Sequence, residues 1–489
     1  MNNLALARLQ GIASSGAPFA ALLAIGLGLS VGVAAAVAHP LVLAAGLAAP
    51  VVLVILLSNT QAGLLAAVAI IYLLPFGVIP LPLGPVKLTF LDATLSLLLL
   101  VWLGRLLTKP GERLQGTPLG GFVLAFIGLA TVSFFVGLGY APIAAEAVRL
   151  FLKAVNSILL FFTVVNCVRE RRQLEQLVAA IILGAAFAAG IAVALYYTPA
   201  PVAIRLLSSL RVVGYASGDD VLRYNATTHV LRAIGTSVDP NVLGAALMVG
   251  STLCFGQLLS GRPVLRRRWL VLAFGLIAFA LLLTYSRGSW VGFIAGLAFL
   301  AAFTERRLFA PLGVLAIGVY IFGTSATGGF AEHLVSGLTF QDQAAAMRLG
   351  EYKDAQRLIE RYPWFGVGFG AAPSIDLYVG VSSIYLLLAE QMGLIGLTSF
   401  LVTIIALYLI TLRRLGQMAD AGLRMLLLSC LAATTAALSA GVGDHYFVNM
   451  RFPHTVALFW LIIGLNLIAG SIGSAKVGPA GEVGDARRN

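Results

Sequence analysis

The sequence predicts an all-α, polytopic integral membrane protein with about 12–14 transmembrane helices and one long, partly helical loop outside the membrane. Three observations carry this prediction. The 489 residues are 60% hydrophobic and only 11% charged, with a mean hydropathy of +0.96, whereas a soluble domain carries about 25% charged residues. The apolar runs are long and unbroken, without the two-residue alternation of an outer-membrane strand, so helices fit and a barrel does not. The basic residues gather in short connections between those runs, as topogenic charges do. Disordered, collagen-like and disulfide-rich secreted classes are excluded by the same figures.

In chain order the apolar runs lie near 17–37, 40–57, 61–79, 88–107, 119–139, 145–167, 177–197, 241–260, 269–285, 288–304, 308–325, 381–411, 423–441 and 453–472. The first, after Arg8, reads as an anchor, and the first two together are also compatible with a re-entrant hairpin. With the N-terminus inside, 19 of the 32 basic residues fall on cytoplasmic segments, among them Arg169, Arg171, Arg172, Arg266, Arg267, Arg268, Arg413 and Arg414. Both termini are then cytoplasmic. A net charge of +12 would suggest nucleic acid in a soluble protein; here topogenesis accounts for it, and no nucleic acid is expected. Cys167, Cys254 and Cys430 form neither a pairing framework nor a metal knuckle.

Two outer loops are long, starting near 198 and spanning 326–380. The second contains AAAMRLGEYKDAQRLIER, with Met347, Ala355, Leu358 and Ile359 on one helical face. Pro363 ends that helix, and Gly366, Gly368 and Gly370 follow, a backbone free to bend close to a ligand. The chain divides into an N-terminal transmembrane half (1–230), a core (231–410), C-terminal helices (411–472) and a disordered, Gly-rich cytoplasmic tail (473–489).

Polar groups collect at the outer face. RAIGTSVDPNVLG (232–244) carries Arg232, Asp239 and Asn241. The short turn TYSRGSW (284–290) carries Arg287, and GVGDHYFVNMRFPHT (441–455) carries Asp444, His445, Arg451 and His454. Arg348, Arg357 and Arg361 come from the long loop. An arginine at a membrane boundary commonly snorkels or caps a helix end. Arg287 and Arg232 stand against the positive-inside bias, and planar guanidiniums suit a diphosphate, which they bind bidentately without ever deprotonating. His445 offers an imidazole able to take a proton from a hydroxyl. Glu146, Arg149 and Lys153 share one face of a span, either as an internal pair or as substrate contacts, with Asp92 a candidate partner. Asp219–Asp220 reads as a solvated turn, and no metal or cofactor is expected.

The segment 232–244, the TYSRGSW turn and the loop MRLGEYKDAQRLIERYPWFGVGFG, followed by SSIYLLLAEQMGLIGL, together resemble the O-antigen ligase and O-antigen polymerase superfamily over about residues 230–410. The resemblance implies an inner-membrane glycosyltransferase with a periplasmic site. Such an enzyme moves a glycan, without a metal, from undecaprenyl diphosphate to a glycan or lipid A–core acceptor. It further implies that Arg232 and Arg287 hold the diphosphate, with Arg149, Arg348, Arg357 and Tyr385 as further substrate contacts. The family writes a histidine in His-Asn-x-Tyr-Leu where this sequence has Ser382-Ser383-Ile384-Tyr385-Leu386. The expected base is then His445 or Asp444, or the acceptor chemistry differs. The competing expectation is a transporter or flippase of a lipid-linked saccharide, whose ionisable groups would sit near the bilayer midplane on broken helices.

Overall fold

A computed structural model of the protein describes residues 58–80, 87–108, 110, 113–140, 144–225, 229–305, 307, 310, 313, 343–370, 377 and 380–474. The spans expected near 17–37, 40–57 and 308–325, together with His39, His333 and the end of the tail, lie outside the described residues. The other eleven expected spans all fall on helices. In order these are α1 Thr60–Leu73, α2 Phe90–Thr108, α3 Gly120–Gly137, α4 Ala145–Cys167 and α5 Arg171–Tyr197, then a short α6, Ala200–Ser209. After a two-residue antiparallel ladder (β1 Arg223–Tyr224, β2 Leu231–Arg232) come α7 Pro240–Leu259, α8 Arg267–Leu283 and α9 Arg287–Phe303. The rest are α10 Gln343–Arg361, α11 Ile384–Leu415, α12 Ala421–Ala440 and α13 Pro453–Ser474. Among the described residues, eight helices are long and apolar enough to cross a membrane. The protein is an all-α, multi-pass membrane protein.

Helices prevail because hydrocarbon supplies no partner for a backbone N–H or C=O, so each segment must satisfy its own. Their starts follow ordinary capping chemistry. Asp239 accepts from the amides of Asn241 and Val242, with Pro240 at the first helical position of α7. Asp420 does the same for Leu423 at the start of α12. The centre of the bundle is α7, α12 and α13, whose apolar windows are 78–89% buried, whereas those of α2 and α3 are only 33% buried.

A four-residue glycine spacing on α9 sets the closest helix pair. Gly288, Gly292 and Gly296 face α12, and a Cβ at Gly292 would lie 2.5 Å from the Ala436 carbonyl oxygen and one at Gly296 3.0 Å from that of Ala432. Small residues let backbones approach in a membrane where no hydrophobic force drives helices together. The top rung of this stripe, Gly288, meets the carboxylate of Asp444.

Two of the loop glycines that the sequence offered as free to bend close to a ligand, Gly366 and Gly368, approach the chain itself, while a Cβ at Gly370 would meet nothing within 4 Å. α11 breaks at Gly393 (φ 68°, ψ −176°), a conformation essentially reserved for glycine. The break frees the carbonyls of Glu390 and Gln391 and the amides of Leu394 and Ile395. Residues 363–368 take up all four. Val367 N–H donates to Glu390 O (2.9 Å) and Gly368 N–H to Gln391 O (3.0 Å). In return Leu394 N–H donates to Pro363 O (2.7 Å) and Ile395 N–H to Trp364 O (3.4 Å). Gly366 lies against the Glu390 and Gln391 carbonyls, and Gly368 against Gly137 of α3. Within α10, Ala355 and Leu358 are buried as expected, but Met347 is 59% exposed. Tyr352 reaches the inner side in its place, its hydroxyl donating to Ser382 O at 3.2 Å.

Candidate functional site

Three segments remote in sequence meet at one end of the bundle. The first is the approach to α7. Ala233 N–H donates to Leu283 O (2.9 Å), which lays this strand along the end of α8. Arg232 Nε then donates to Thr284 O (2.8 Å) and its Nη2 to Asn241 Oδ1 (2.6 Å). Between them Val238 has φ 62° and ψ −31°, and Asp239 N–H donates to Ser237 O at 2.6 Å. This is a γ-turn of the rare, strained kind, on a β-branched residue that strongly disfavours positive φ.

The second segment is the α8–α9 turn. Trp290 Nε1 donates to Leu281 O (2.9 Å), and Tyr285 is also held at positive φ (49°). The turn sits tightly on α7, since a Cβ at Gly244 would lie 2.7 Å from Ser289 Oγ. Arg287 is the first residue of α9, close enough that its charge acts on Arg232.

The third segment is the α12–α13 connection. Asp444 is buried, with Arg348 Nη2 of α10 at 3.5 Å from its Oδ1 and Gly288 against its other oxygen. Tyr446 pairs with Asn241, the residue that also holds Arg232. His445 Nδ1 lies 3.0 Å from the carbonyl oxygen of Val381. A carbonyl only accepts, so Nδ1 carries the proton and Nε2 is left as an acceptor.

Burial dominates the electrostatics. It pushes the Asp444 carboxyl up to about 7 against the opposing pull of Arg348 and Arg232, with Asp239 adding to the rise. It holds the His445 imidazole below its ordinary range, despite the bond to Val381, so the ring is neutral near pH 7. It also lowers the Arg232 guanidinium, an effect that Arg287 reinforces and that Asp239, Tyr446 and Asp444 oppose.

The 380–383 strap is fixed from both sides. Gly380 N–H donates to Glu390 Oε1 (2.9 Å) and Ser382 N–H to Glu351 Oε2 (3.0 Å). Ser383 N–H donates to Val381 O (2.8 Å) and Ile384 N–H to Gly441 O (2.8 Å). His445 therefore docks beside Ser382–Ser383, where the family pattern would place its histidine.

Of the residues singled out from sequence, Arg232, Arg287, Arg348, Asp444 and His445 come together. Arg357 does not join them; it is exposed on α10 and pairs with Asp354 at 3.4 Å. The Tyr385 hydroxyl is spent on Leu438 O of α12 (3.0 Å). Arg149 is half-buried on α4 and Glu146 exposed, while Lys153 forms a 2.5 Å ion pair with Asp92. Asp219 and Asp220 are exposed on a single 3-10 turn, and Arg451 is exposed. His454 is buried at the start of α13, edge-on to Phe76 at 4.8 Å. Sequence reading missed Glu351, Glu390 and Tyr446. The four-spaced glycines of α9 were the readable sign that this end would be tightly packed.

Residues 272–401 match a family model described as O-antigen ligase, which covers α8, α9, α10 and the first half of α11. Over that stretch the chain is similar to the O-antigen ligase family. No curated protein matches the chain. Arg287, Arg348 and the 380–383 strap lie inside the matched stretch, whereas Arg232, Asp444 and His445 lie outside it. Glycan transfer is the general role of the family.

Proposed function

We propose that the protein belongs to the O-antigen ligase and polymerase family and transfers a glycan from undecaprenyl diphosphate to an acceptor hydroxyl at the periplasmic face of the bacterial inner membrane. The observation that carries the proposal is the convergence of two guanidiniums, Arg232 and Arg287, with an imidazole whose Nε2 is unprotonated. Arg232 and Arg287 hold the diphosphate. His445 Nε2 takes the acceptor's proton, the acceptor oxygen bonds the anomeric carbon, and the bond from that carbon to the diphosphate oxygen breaks. The diphosphate leaves on its lipid, its growing charge met by the two arginines. Asp444, pointed at Arg348 and the first turn of α9, acts as the counter-charge that keeps the arginines in place when no substrate is bound. No step needs a metal or cofactor. A lipid A–core sugar and a second lipid-linked glycan both offer the required hydroxyl.

A transporter would use its broken helix for substrate, but the break in α11 is filled by residues 363–368. That favours chemistry at the end of the bundle.

The test is a purified transfer assay with a lipid-linked oligosaccharide donor. Removing one preorganised donor typically costs about 3–4 kcal/mol in the transition state, so Arg232→Ala and Arg287→Ala should each lose at least about 100-fold in kcat. His445→Ala should lose activity at unchanged donor affinity. Near wild-type transfer by both arginine variants would sink the diphosphate clamp; full activity in His445→Ala would sink only the base.

A further inference from the structure

At the opposite end of the bundle, four segments line a partly open cavity of about 140 Å³. They are residues 115–118 ahead of α3, the end of α4, the end of α11 and the last turns of α13. Two arginines line it, Arg169 and Arg414. Arg414 turns Nη1 back onto Leu467 O of α13 (3.1 Å), and Arg169 Nε donates to Asn166 O (3.2 Å). Among the described residues, the remaining guanidinium N–H groups of both have no acceptor, and no carboxylate lines the cavity. Three acids of this end are engaged elsewhere: Asp420 takes Arg171 (2.7 Å) and Arg262 (3.8 Å), Glu175 takes Arg171 (2.6 Å), and Glu170 accepts the Gln173 N–H in the capping box of α5.

A third donor points the same way. Thr117 lines the cavity, and its Oγ1 is buried and, among the described residues, has no hydrogen-bond partner. The rim that carries it is fixed, because Gln115 N–H donates to Asn166 Oδ1 at 2.8 Å. A buried hydroxyl without a partner is unfavourable by about 1–3 kcal/mol. An arginine that merely snorkelled would run its stem outward to water, whereas Arg414 is half-buried and folded back on α13. The rest of the lining is largely apolar, led by Val165, Leu467 and Ile472. Two open guanidinium forks, a waiting hydroxyl and an apolar wall describe an anion carried on a greasy body.

We propose that this cavity is a phosphate site. Arg169 and Arg414 clamp the phosphate oxygens, Thr117 donates its hydroxyl hydrogen to one of them, and the Val165–Leu467–Ile472 wall receives an acyl chain. The phosphate belongs either to an anionic phospholipid headgroup or to a free anion. The fork geometry of arginine fits phosphate in both cases, and basic pockets between membrane helices bind lipid headgroups. This site is independent of the transfer chemistry at the other end.

The experiment uses the full chain, delipidated in a mild non-ionic detergent, and measures binding of dioleoylphosphatidylglycerol, dioleoylglycerol and inorganic phosphate in parallel. Phosphatidylglycerol should bind saturably and dioleoylglycerol should not. The Arg169→Gln/Arg414→Gln double variant should bind phosphatidylglycerol at least about tenfold more weakly, as expected for losing charge-assisted hydrogen bonds. Arg413→Gln, an exposed neighbour that does not line the cavity, should bind like wild type. Phosphatidylglycerol binding far more tightly than inorganic phosphate identifies the lipid as the source; equal, arginine-dependent binding of both identifies the free anion. Thr117→Val should weaken binding about fivefold, and it carries the test if the double variant does not fold. Equal binding of phosphatidylglycerol and dioleoylglycerol would overturn the proposal, as would unchanged affinity in the folded double variant or in Thr117→Val.

Discussion

Asp444 and Asp420 sit at opposite ends of α12, and the bundle treats them in opposite ways. Asp420 caps the start of the helix: it accepts from Leu423 N–H and pairs with Arg171, and both hold its carboxyl below the usual range, the amide most strongly. Asp444, just past the other end, is buried against Gly288 with Arg348 at 3.5 Å, and burial pushes it up to about 7 against the pull of Arg348 and Arg232. The same contrast runs through the arginines. Arg171 is satisfied by two carboxylates, whereas Arg232 hydrogen-bonds to neutral oxygens of Thr284 and Asn241 and feels Asp239 and Asp444 through space. One end uses charge to fasten helices; the other keeps charge in reserve at an expense in stability.

The comparison breaks most visibly at Gly393. Gly393→Ala should lower stability by at least about 3 kcal/mol, because its backbone angles reject a side chain and its Cβ would strike the Trp364 carbonyl. Thermal unfolding followed by size-exclusion in detergent checks this. Gly190→Ala on α5, whose Cβ would meet only Leu276 Cδ2 at 3.8 Å, should unfold like wild type.

A smaller effect sharpens the contrast between the two aspartates. A carboxyl whose folded value is raised to about 7 from an ordinary 3.8 contributes stability that is fully present below 3.8. That contribution is lost as pH rises to about 7 and does not change further above it. Asp444→Asn mimics the protonated form at every pH. Its gain in thermal stability over wild type should grow between pH 4 and 7 and level off at no more than about 4 kcal/mol. A flat difference across that range would mean the group is not buried as a reserve charge. The smallest effect lies at the other end, where Asp420→Ala should cost about 1 kcal/mol through the lost cap, read as a modest fall in melting temperature at pH 7 with transfer activity unchanged.

Much of this was legible because the controlling physics is local. A run of apolar residues must be a helix in hydrocarbon, so the described spans were readable one by one, and Asp239–Pro240 announced the start of α7. The Arg287 turn stood out because its charge opposes the topogenic bias. The packing of two loop glycines was not legible: the partners of Gly366 and Gly368 are backbone atoms of α11 and α3, and no local pattern reveals that a helix will break at Gly393. The directions of Arg357 and Tyr385 were not legible for a related reason. Side-chain direction on a packed helix depends on neighbours, here Asp354 and the Leu438 carbonyl.

By itself, then, the sequence determined the class of the molecule, the membrane segments and the pool of polar groups outside them, since each follows from hydropathy and charge over windows of about 20 residues. Only the tertiary structure decided which members of that pool meet. The strap at 380–383 lies 64 residues from His445 in the chain, yet the Val381 carbonyl selects the tautomer of its ring. Arg232 reaches the Thr284 carbonyl across 52 residues. Hydrogen bonds of that kind depend on the bundle having closed, because a backbone carbonyl offers the same group at every position and becomes a specific partner only when packing brings it to one.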